Sequence, residues 1–158
     1  MTPKDAEKIA GKLSNTSKMP GYSYSLPSES CMTGQTLRKE KGSVCSSCYA
    51  CKGRYLWPNV KRSLMRRKES IVHPQWVEAM VTLIKFHCEC PYFRWHDSGD
   101  LQGREHFQKI VDIANACPEI HFWLPTKEHT LLRLCADIVV PKNLVIRKSM
   151  HLLGAFIP

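Results

Sequence analysis

Long apolar runs are missing from this chain of 158 residues. No stretch approaches the roughly 18 apolar residues of a membrane-spanning helix. The first five residues, Met1 to Asp5, also lack the apolar core of a secretion signal. Hydrophobic residues make up 43% of the chain and charged residues 23%, which is typical of a globular protein. The sequence therefore predicts a single cytoplasmic domain that is not secreted and has no membrane partner.

Acidic residues are scarce. Asp and Glu number 14 against 23 Lys and Arg, which gives a formal net charge of +9. Between Arg38 and Lys68, Glu40 is the one acid among ten basic residues. Such a region attracts an anionic partner, either nucleic acid or a small substrate that carries phosphate or carboxylate. A solvated helix face is the alternative explanation for Lys61 to Lys68.

Cysteine is abundant, with eight residues, and four of them cluster at Cys31, Cys45, Cys48 and Cys51. A disulfide framework is not expected without a secretion signal. Three thiols at every third position, with a fourth nearby, predict the ligands of an iron–sulfur cluster. Zinc sites more often use two separated Cys-x-x-Cys pairs, and zinc and unligated thiols remain the two alternatives.

Strand and helix patterns alternate along the chain. Residues 1–20 carry a short helical pattern that ends in Gly, Ser, Asn and Pro, so they are predicted to form a peripheral N-terminal arm, with residues 21–158 as one α/β domain. This alternation implies crossover units and a parallel sheet. Because four strands cannot close an eight-stranded barrel, we expect an open or partial (βα) barrel with the cysteine loop after the first strand. The predicted strands are Tyr22 to Leu26, Tyr92 to His96, Ile120 to Leu124 and Asn143 to Arg147.

Ligands of parallel sheets collect at the carboxyl ends of the strands. This rule selects the cysteine loop and the polar residues that follow the next three strands. We expect His96 or Asp97 to move a proton, and Lys127 and Arg147 to hold an anionic group. A structural histidine and a solvated lysine are the alternatives.

Four further residues lie at the same strand ends and are candidates for cofactor contact. They are Ser98, Gly99, Asp100 and Thr126. For Ser98 and Gly99 the alternative is a purely structural turn. For Asp100 the alternative is an N-cap on the following helix.

Several ordered segments resemble a known family. They are Cys48-Tyr49-Ala50-Cys51-Lys52-Gly53-Arg54-Tyr55, Pro58-Asn59-Val60, Arg66-Arg67, Phe93-Arg94-Trp95-His96-Asp97-Ser98-Gly99-Asp100-Leu101 and Phe122-Trp123-Leu124-Pro125-Thr126-Lys127-Glu128. Together they resemble the bacteriophage "gene product eighty-eight" family, which is similar in layout to radical S-adenosylmethionine-like partial-barrel phage proteins.

The resemblance implies an iron–sulfur protein in the cytoplasm of a phage-infected bacterium. Its recurring cysteines correspond to Cys31, Cys45 and Cys48, whereas the position of Cys51 varies. The Cys-x3-Cys-x2-Cys signature of radical S-adenosylmethionine enzymes is absent here. Relatives extend further, so the sequence after Ile146 is expected to be truncated or naturally short.

The fourth ligand decides the predicted function. With Cys51 bound, a 4Fe-4S cluster is closed and suits redox or structural roles. With three ligands, one iron is open. An open iron suits ester-type hydrolysis or S-adenosylmethionine chemistry. Loss of that iron would leave a 3Fe-4S form. Polar residues after every strand favour an enzyme. The alternatives are a nucleic-acid-binding protein that uses Arg38 to Lys68, and a closed-cluster module.

Overall fold

The computed structural model describes residues 1–16, 19–152 and 154. The helices are α1 (Pro3–Ala10), α2 (Met32–Leu37), α3 (Pro58–Ser70), α4 (Trp76–His87), α5 (Arg104–Ala116) and α6 (His129–Leu134). The strands are β1 (Ser14–Asn15), β2 (Tyr22–Tyr24), β3 (Tyr92–Trp95), β4 (His121–Thr126) and β5 (Leu144–Lys148). Residues 17–18 of the predicted arm, and residues 153 and 155–158 of the predicted domain, lie outside the described part of the chain.

The strands form one open sheet in chain order, β1-β2-β3-β4-β5. β2 to β5 run parallel, with Tyr24 opposite Trp95 and Phe93 opposite Phe122. The predicted α/β fold with four parallel strands is confirmed. β1 pairs with β2 in the antiparallel direction and is not predicted from the sequence, because a strand of two residues has no alternation to detect.

The two faces of the sheet differ in burial. On one face Tyr24, Trp95 and Leu124 are fully buried in a core shared with α4 and α5. On the opposite face Trp123 is 40% exposed and Val145 is 52% exposed. The described helices therefore leave part of the second face of the sheet uncovered.

Two prolines separate the helices as the sequence predicts. Pro58 occupies the first turn of α3, where its missing N–H is harmless. Pro74 lies in the break between α3 and α4, where the residue before a proline disfavours helical geometry. Nowhere in the described residues is a helix both long enough and apolar enough to cross a membrane.

The helix α1 belongs to the stretch that the sequence predicts as an arm. Its Ala6 and Ala10 are fully buried in the main core. The hydroxyl of Tyr24, on β2, donates a hydrogen bond of 2.6 Å to the carbonyl oxygen of Ala10. The helix is thus packed against the domain through two small side chains and one buried hydroxyl.

Candidate functional site

The cysteine loop follows β2 and folds as a series of single helical turns. Cys31 precedes α2, Cys45 lies in the turn Val44–Ser47, and Cys51 ends the turn Tyr49–Cys51. The hydroxyl of Ser43 caps the turn Val44–Ser47 by accepting a 3.0 Å hydrogen bond from the Ser46 N–H. Backbone turns, rather than regular secondary structure, thus set the positions of the thiols.

Ten of the twelve predicted site residues line one pocket of about 200 Å³ at the carboxyl ends of the strands. They are Cys31, Cys45, Cys48, His96, Asp97, Ser98, Gly99, Asp100, Thr126 and Lys127. Cys51 and Arg147 are the two that do not line it. The Cys51 sulfur lies 3.6 Å from the hydroxyl oxygen of Ser28, and Arg147 is exposed on β5.

Gly34, in α2, lies against two of the thiols. A Cβ atom added there would lie 2.8 Å from the Cβ of Cys31, and 3.7 and 3.8 Å from the sulfurs of Cys31 and Cys45. A larger residue would therefore press on Cys31 and fill the space beside both sulfurs. The sequence offers no signal for this role, since the glycine lies in a helix rather than in a turn.

Burial disfavours ionised thiols in this pocket. It raises the pKa of Cys31 to about 12, with Asp100 adding to the effect. Burial also raises the pKa of Cys45, while the charge of Lys127 opposes that rise. The thiolate forms that bind metals consequently need a nearby cation, such as the metal itself, to become stable.

Asp100 joins the loops after β3 and β4. Its carboxylate accepts 2.8 and 2.9 Å hydrogen bonds from the N–H groups of Leu101 and Lys127, and a third from the Thr126 hydroxyl. The carboxylate is buried, and burial is the largest cause of its raised pKa. Asp100 does not cap a helix, because α5 begins at Arg104, three residues after Leu101. It acts as a brace between two strand ends.

Ser98 and Gly99 shape the turn after β3. The Ser98 hydroxyl donates a 2.8 Å hydrogen bond to the carbonyl oxygen of Leu26, whose own N–H donates to the Ser98 carbonyl oxygen at 2.9 Å. Gly99 has a φ of 78°, and a Cβ atom there would lie 2.5 Å from the Cβ of Leu26. The chain needs glycine at this point for its backbone conformation and for close contact with Leu26.

Glu128 supports the cysteine loop from outside the pocket lining, and the sequence does not predict this role. Its buried carboxylate accepts hydrogen bonds from the N–H and the hydroxyl of Thr33, at 2.9 and 2.6 Å. Thr33 lies in the first turn of α2, two residues after Cys31, where an acid is favourable. This contact links the end of β4 to the cysteine loop, and its separation along the chain gives no sequence signal.

His96 is held in an unusual state. Its φ of 55° places it in the left-handed region, and it is 4% exposed. Neither ring nitrogen has a hydrogen-bond partner in the described residues. Burial, helped by the charge of Arg94, lowers its pKa to about 3. The imidazole is therefore neutral at neutral pH, and its ring lies against the buried His106 ring, with 5.4 Å between the ring centroids.

Asp97 is held by three side chains that the sequence does not predict as site residues. Its carboxylate accepts a 2.7 Å hydrogen bond from the Tyr55 hydroxyl and lies 3.5 Å from a guanidinium nitrogen of Arg94. The Tyr49 hydroxyl donates to its backbone oxygen. Arg94 also lies over the ring of Trp123, 4.7 Å from the ring centroid. The carboxylate is thus oriented from two sides.

The grouping of side chains does not suit a single metal ion. Within the described residues, no three His, Cys, Asp or Glu side chains form a group that could hold one. All eight cysteines are free of disulfides. Cys31, Cys45 and Cys48 nevertheless line the same pocket.

A family model for gene product 88 matches residues 2–152, which covers nearly the whole chain. The chain belongs to the gene product 88 family. This confirms the family of phage proteins that the motifs indicate. No curated protein and no solved structure matches the chain.

The basic residues of this gene product 88 protein do not form one surface. Arg67 is buried, while Arg38 donates a 2.6 Å hydrogen bond to the Ser28 carbonyl oxygen next to the cysteine pocket. Others line a groove of about 540 Å³ between α1 and α3. The basic residues of this groove are Lys4, Lys8, Lys12, Arg62 and Arg66. The groove therefore combines lysines near the start of the chain with two arginines of the predicted basic region, residues 38–68.

Proposed function

We propose that this gene product 88 protein is an iron–sulfur enzyme in which Cys31, Cys45 and Cys48 hold a cluster, with one iron free of protein sulfur. The observation that carries the proposal is the shared pocket. Three thiols face residues from the ends of β3 and β4, and Cys51 is excluded from the lining. A closed cluster with four thiolates would need Cys51 in the same wall.

The donor set suits such a group. Three free thiols line one pocket, and each would bind a different iron of such a cluster. Lys127 lines the same pocket, and Arg38 is close enough to favour ionisation of Cys31 and Cys45. Both cations would offset the negative charge of bound thiolates.

The reaction that we propose is hydrolysis of an ester. When bound, the cluster supplies a Lewis-acidic iron to a substrate oxygen. The Asp97 carboxylate accepts a proton from the water that attacks the carbonyl carbon, and returns it to the leaving oxygen as the ester bond breaks. We assign His96 no part in this step, because both of its ring nitrogens are buried.

Anaerobic purification tests this proposal. Iron, sulfide and visible absorption report the cluster, and electron paramagnetic resonance separates the three-iron from the four-iron form. Asp97→Asn is expected to lower ester hydrolysis at least 100-fold while iron content stays unchanged. A colourless protein that contains zinc would contradict the cluster. Reductive cleavage of S-adenosylmethionine, without hydrolysis of any ester, would replace hydrolysis by radical chemistry.

We also propose that the sheet is part of a barrel. Strands in chain order with crossovers of one hand carry their helices on one side, as in a (βα) barrel. The buried face with α4 and α5 and the partly open face opposite are consistent with that arrangement. The open face would then correspond to a barrel interior.

A second candidate function is nucleic-acid binding. The observation in its favour is the groove between α1 and α3, where five basic side chains accompany one acid, Glu7. Rows of Lys and Arg neutralise backbone phosphates without reading sequence. This role is compatible with the enzyme, since the groove and the cysteine pocket share none of their lining residues.

A further inference from the structure

Arg67 is a buried cation without a counter-charge. Its side chain lies within α3 and is 5% exposed. Its guanidinium makes one long hydrogen bond, 3.4 Å to the Ser25 carbonyl oxygen, and its Nε has no partner. Among the described residues it forms no ion pair. Burial of an unpaired charge is expensive, so this arrangement calls for an anion.

Aromatic contact does not replace that anion. The central carbon of the Arg67 guanidinium lies 5.4 Å from the centroid of the Tyr24 ring. A cation over an aromatic face gains much less free energy than burying an unpaired ion costs. Burial accordingly lowers the pKa of Arg67.

Arg67 lines a cavity of about 430 Å³ that is separate from the cysteine pocket. Most of its lining residues are polar by type, although the greater part of the exposed wall is apolar. Its polar residues without a formal charge are Ser14, Thr16, Ser25, Tyr55, Asn59 and Ser63. The Thr16 hydroxyl is also buried without a hydrogen-bond partner in the described residues. Unpartnered donors around a cation are the features of an anion site.

The remaining charged groups of the cavity do not satisfy Arg67. Arg54 adds a second positive charge to the wall, and its guanidinium lies over the Trp57 ring, 5.9 Å from the centroid. Asp97 is the one acid in the described lining, and its carboxylate is already engaged by Tyr55 and Arg94. The net charge of the wall is therefore positive.

We propose that this cavity binds the anionic group of a small molecule, a phosphate or a carboxylate, with Arg67 as its buried counter-charge and Arg54 at its entrance. The site is independent of the metal cluster, because none of the loop cysteines lines it. Asp97 lines both this cavity and the cysteine pocket. A molecule anchored here by its anionic end would extend toward that shared residue.

Calorimetric titration of the full chain with inorganic phosphate, and separately with acetate, tests this site. Wild-type protein is expected to bind at least one of the two anions, and the anion that binds identifies the chemical class. Arg67→Met keeps the length of the side chain and is expected to weaken binding at least tenfold. Arg54→Met is expected to weaken it less. Lys68→Met, next in the same helix and outside the cavity, is the matched control and should bind as wild type does.

Thermal unfolding distinguishes an anion-binding arginine from a purely structural one. Without added anion, Arg67→Met should melt no lower than wild type, because an unpaired buried charge is removed. Added anion should raise the melting temperature of wild type and leave that of Arg67→Met unchanged. Absence of binding to wild type, equal binding to Arg67→Met, or an equal loss in Lys68→Met would each overturn the proposal.

Discussion

Cys51 is the one loop cysteine outside the pocket lining, with its sulfur 3.6 Å from the Ser28 hydroxyl. We predict that Cys51→Ala keeps the wild-type contents of iron and sulfide after anaerobic purification. Cys48→Ala is the matched comparison in the same loop, and it should lose most of both because it removes one of the three proposed ligands. A colourless Cys51→Ala protein would mean that four thiols bind and that the cluster is closed.

His106 makes stability depend on pH. It is 3% exposed, and its Nδ1 accepts a 3.2 Å hydrogen bond from the Gln102 N–H. Burial lowers its pKa well below the usual value of about 6.5, and the neighbouring His96 and Lys109 add to the effect. The unfolded chain therefore binds a proton that the folded chain does not. The stability contributed by the neutral ring is present above about pH 6.5 and is lost as the pH falls below it.

Below pH 6.5, this one residue is expected to lower the free energy of unfolding by about 1.4 kcal/mol for each pH unit. His106→Gln keeps a hydrogen-bond acceptor but does not titrate, so urea unfolding from pH 6.5 to 5 should show a slope smaller by about that amount. The exposed His121→Gln variant serves as the control and should keep the wild-type slope. Equal slopes for all three proteins would show that His106 is not buried in its neutral form.

Tyr24 links several elements through one hydroxyl. It donates to the Ala10 carbonyl oxygen at the end of α1, lies 3.1 Å from the Ser70 hydroxyl of α3, and accepts a 3.3 Å hydrogen bond from the Trp76 indole N–H of α4. We predict that Tyr24→Phe lowers the free energy of unfolding by about 1–3 kcal/mol, because buried polar groups lose their partner.

Urea unfolding measures this effect, and the exposed Tyr92→Phe change on β3 is the control, with an expected effect within about 0.5 kcal/mol. Hydrogen exchange of the α1 amides should also become faster in Tyr24→Phe. Unchanged exchange would mean that the buried alanines alone hold α1 in place.

Elements were predictable where their pattern is periodic. β3 and β4 follow from alternation, and α3 and α4 are bounded by Pro58 and Pro74. The docking of α1 was not predictable, because a helical pattern does not tell which part of the chain it packs against, and the Tyr24 hydroxyl is 14 residues away. β1 was not predictable either, because a strand of two residues shows no alternation. Tertiary contacts, not local preference, fix these parts.

At the scale of the whole molecule, most of the candidate site was predictable because ligands of parallel sheets collect at the carboxyl ends of the strands. This rule selected residues by their place after a strand, and parallel strands in chain order bring those places to one edge. Arg147 shows its limit, since a strand-end position does not fix which way a long side chain extends. Glu128 and Arg67 were missed because burial gives them their roles, and the sequence marks them only as one acid and one member of a basic run.

Charge gives the last prediction for the whole molecule. We expect the affinity for duplex DNA to fall as salt is added. The logarithm of the binding constant should fall linearly with the logarithm of the salt concentration, with a slope of about 0.9 for each phosphate contacted. Arg62→Gln with Arg66→Gln removes two cations of the groove between α1 and α3 and should reduce the slope by about 1.8. Lys39→Gln with Lys41→Gln removes two exposed cations outside that groove and is the matched control. Equal losses in both double variants would indicate attraction by net charge alone, and the groove would then have no specific part in binding.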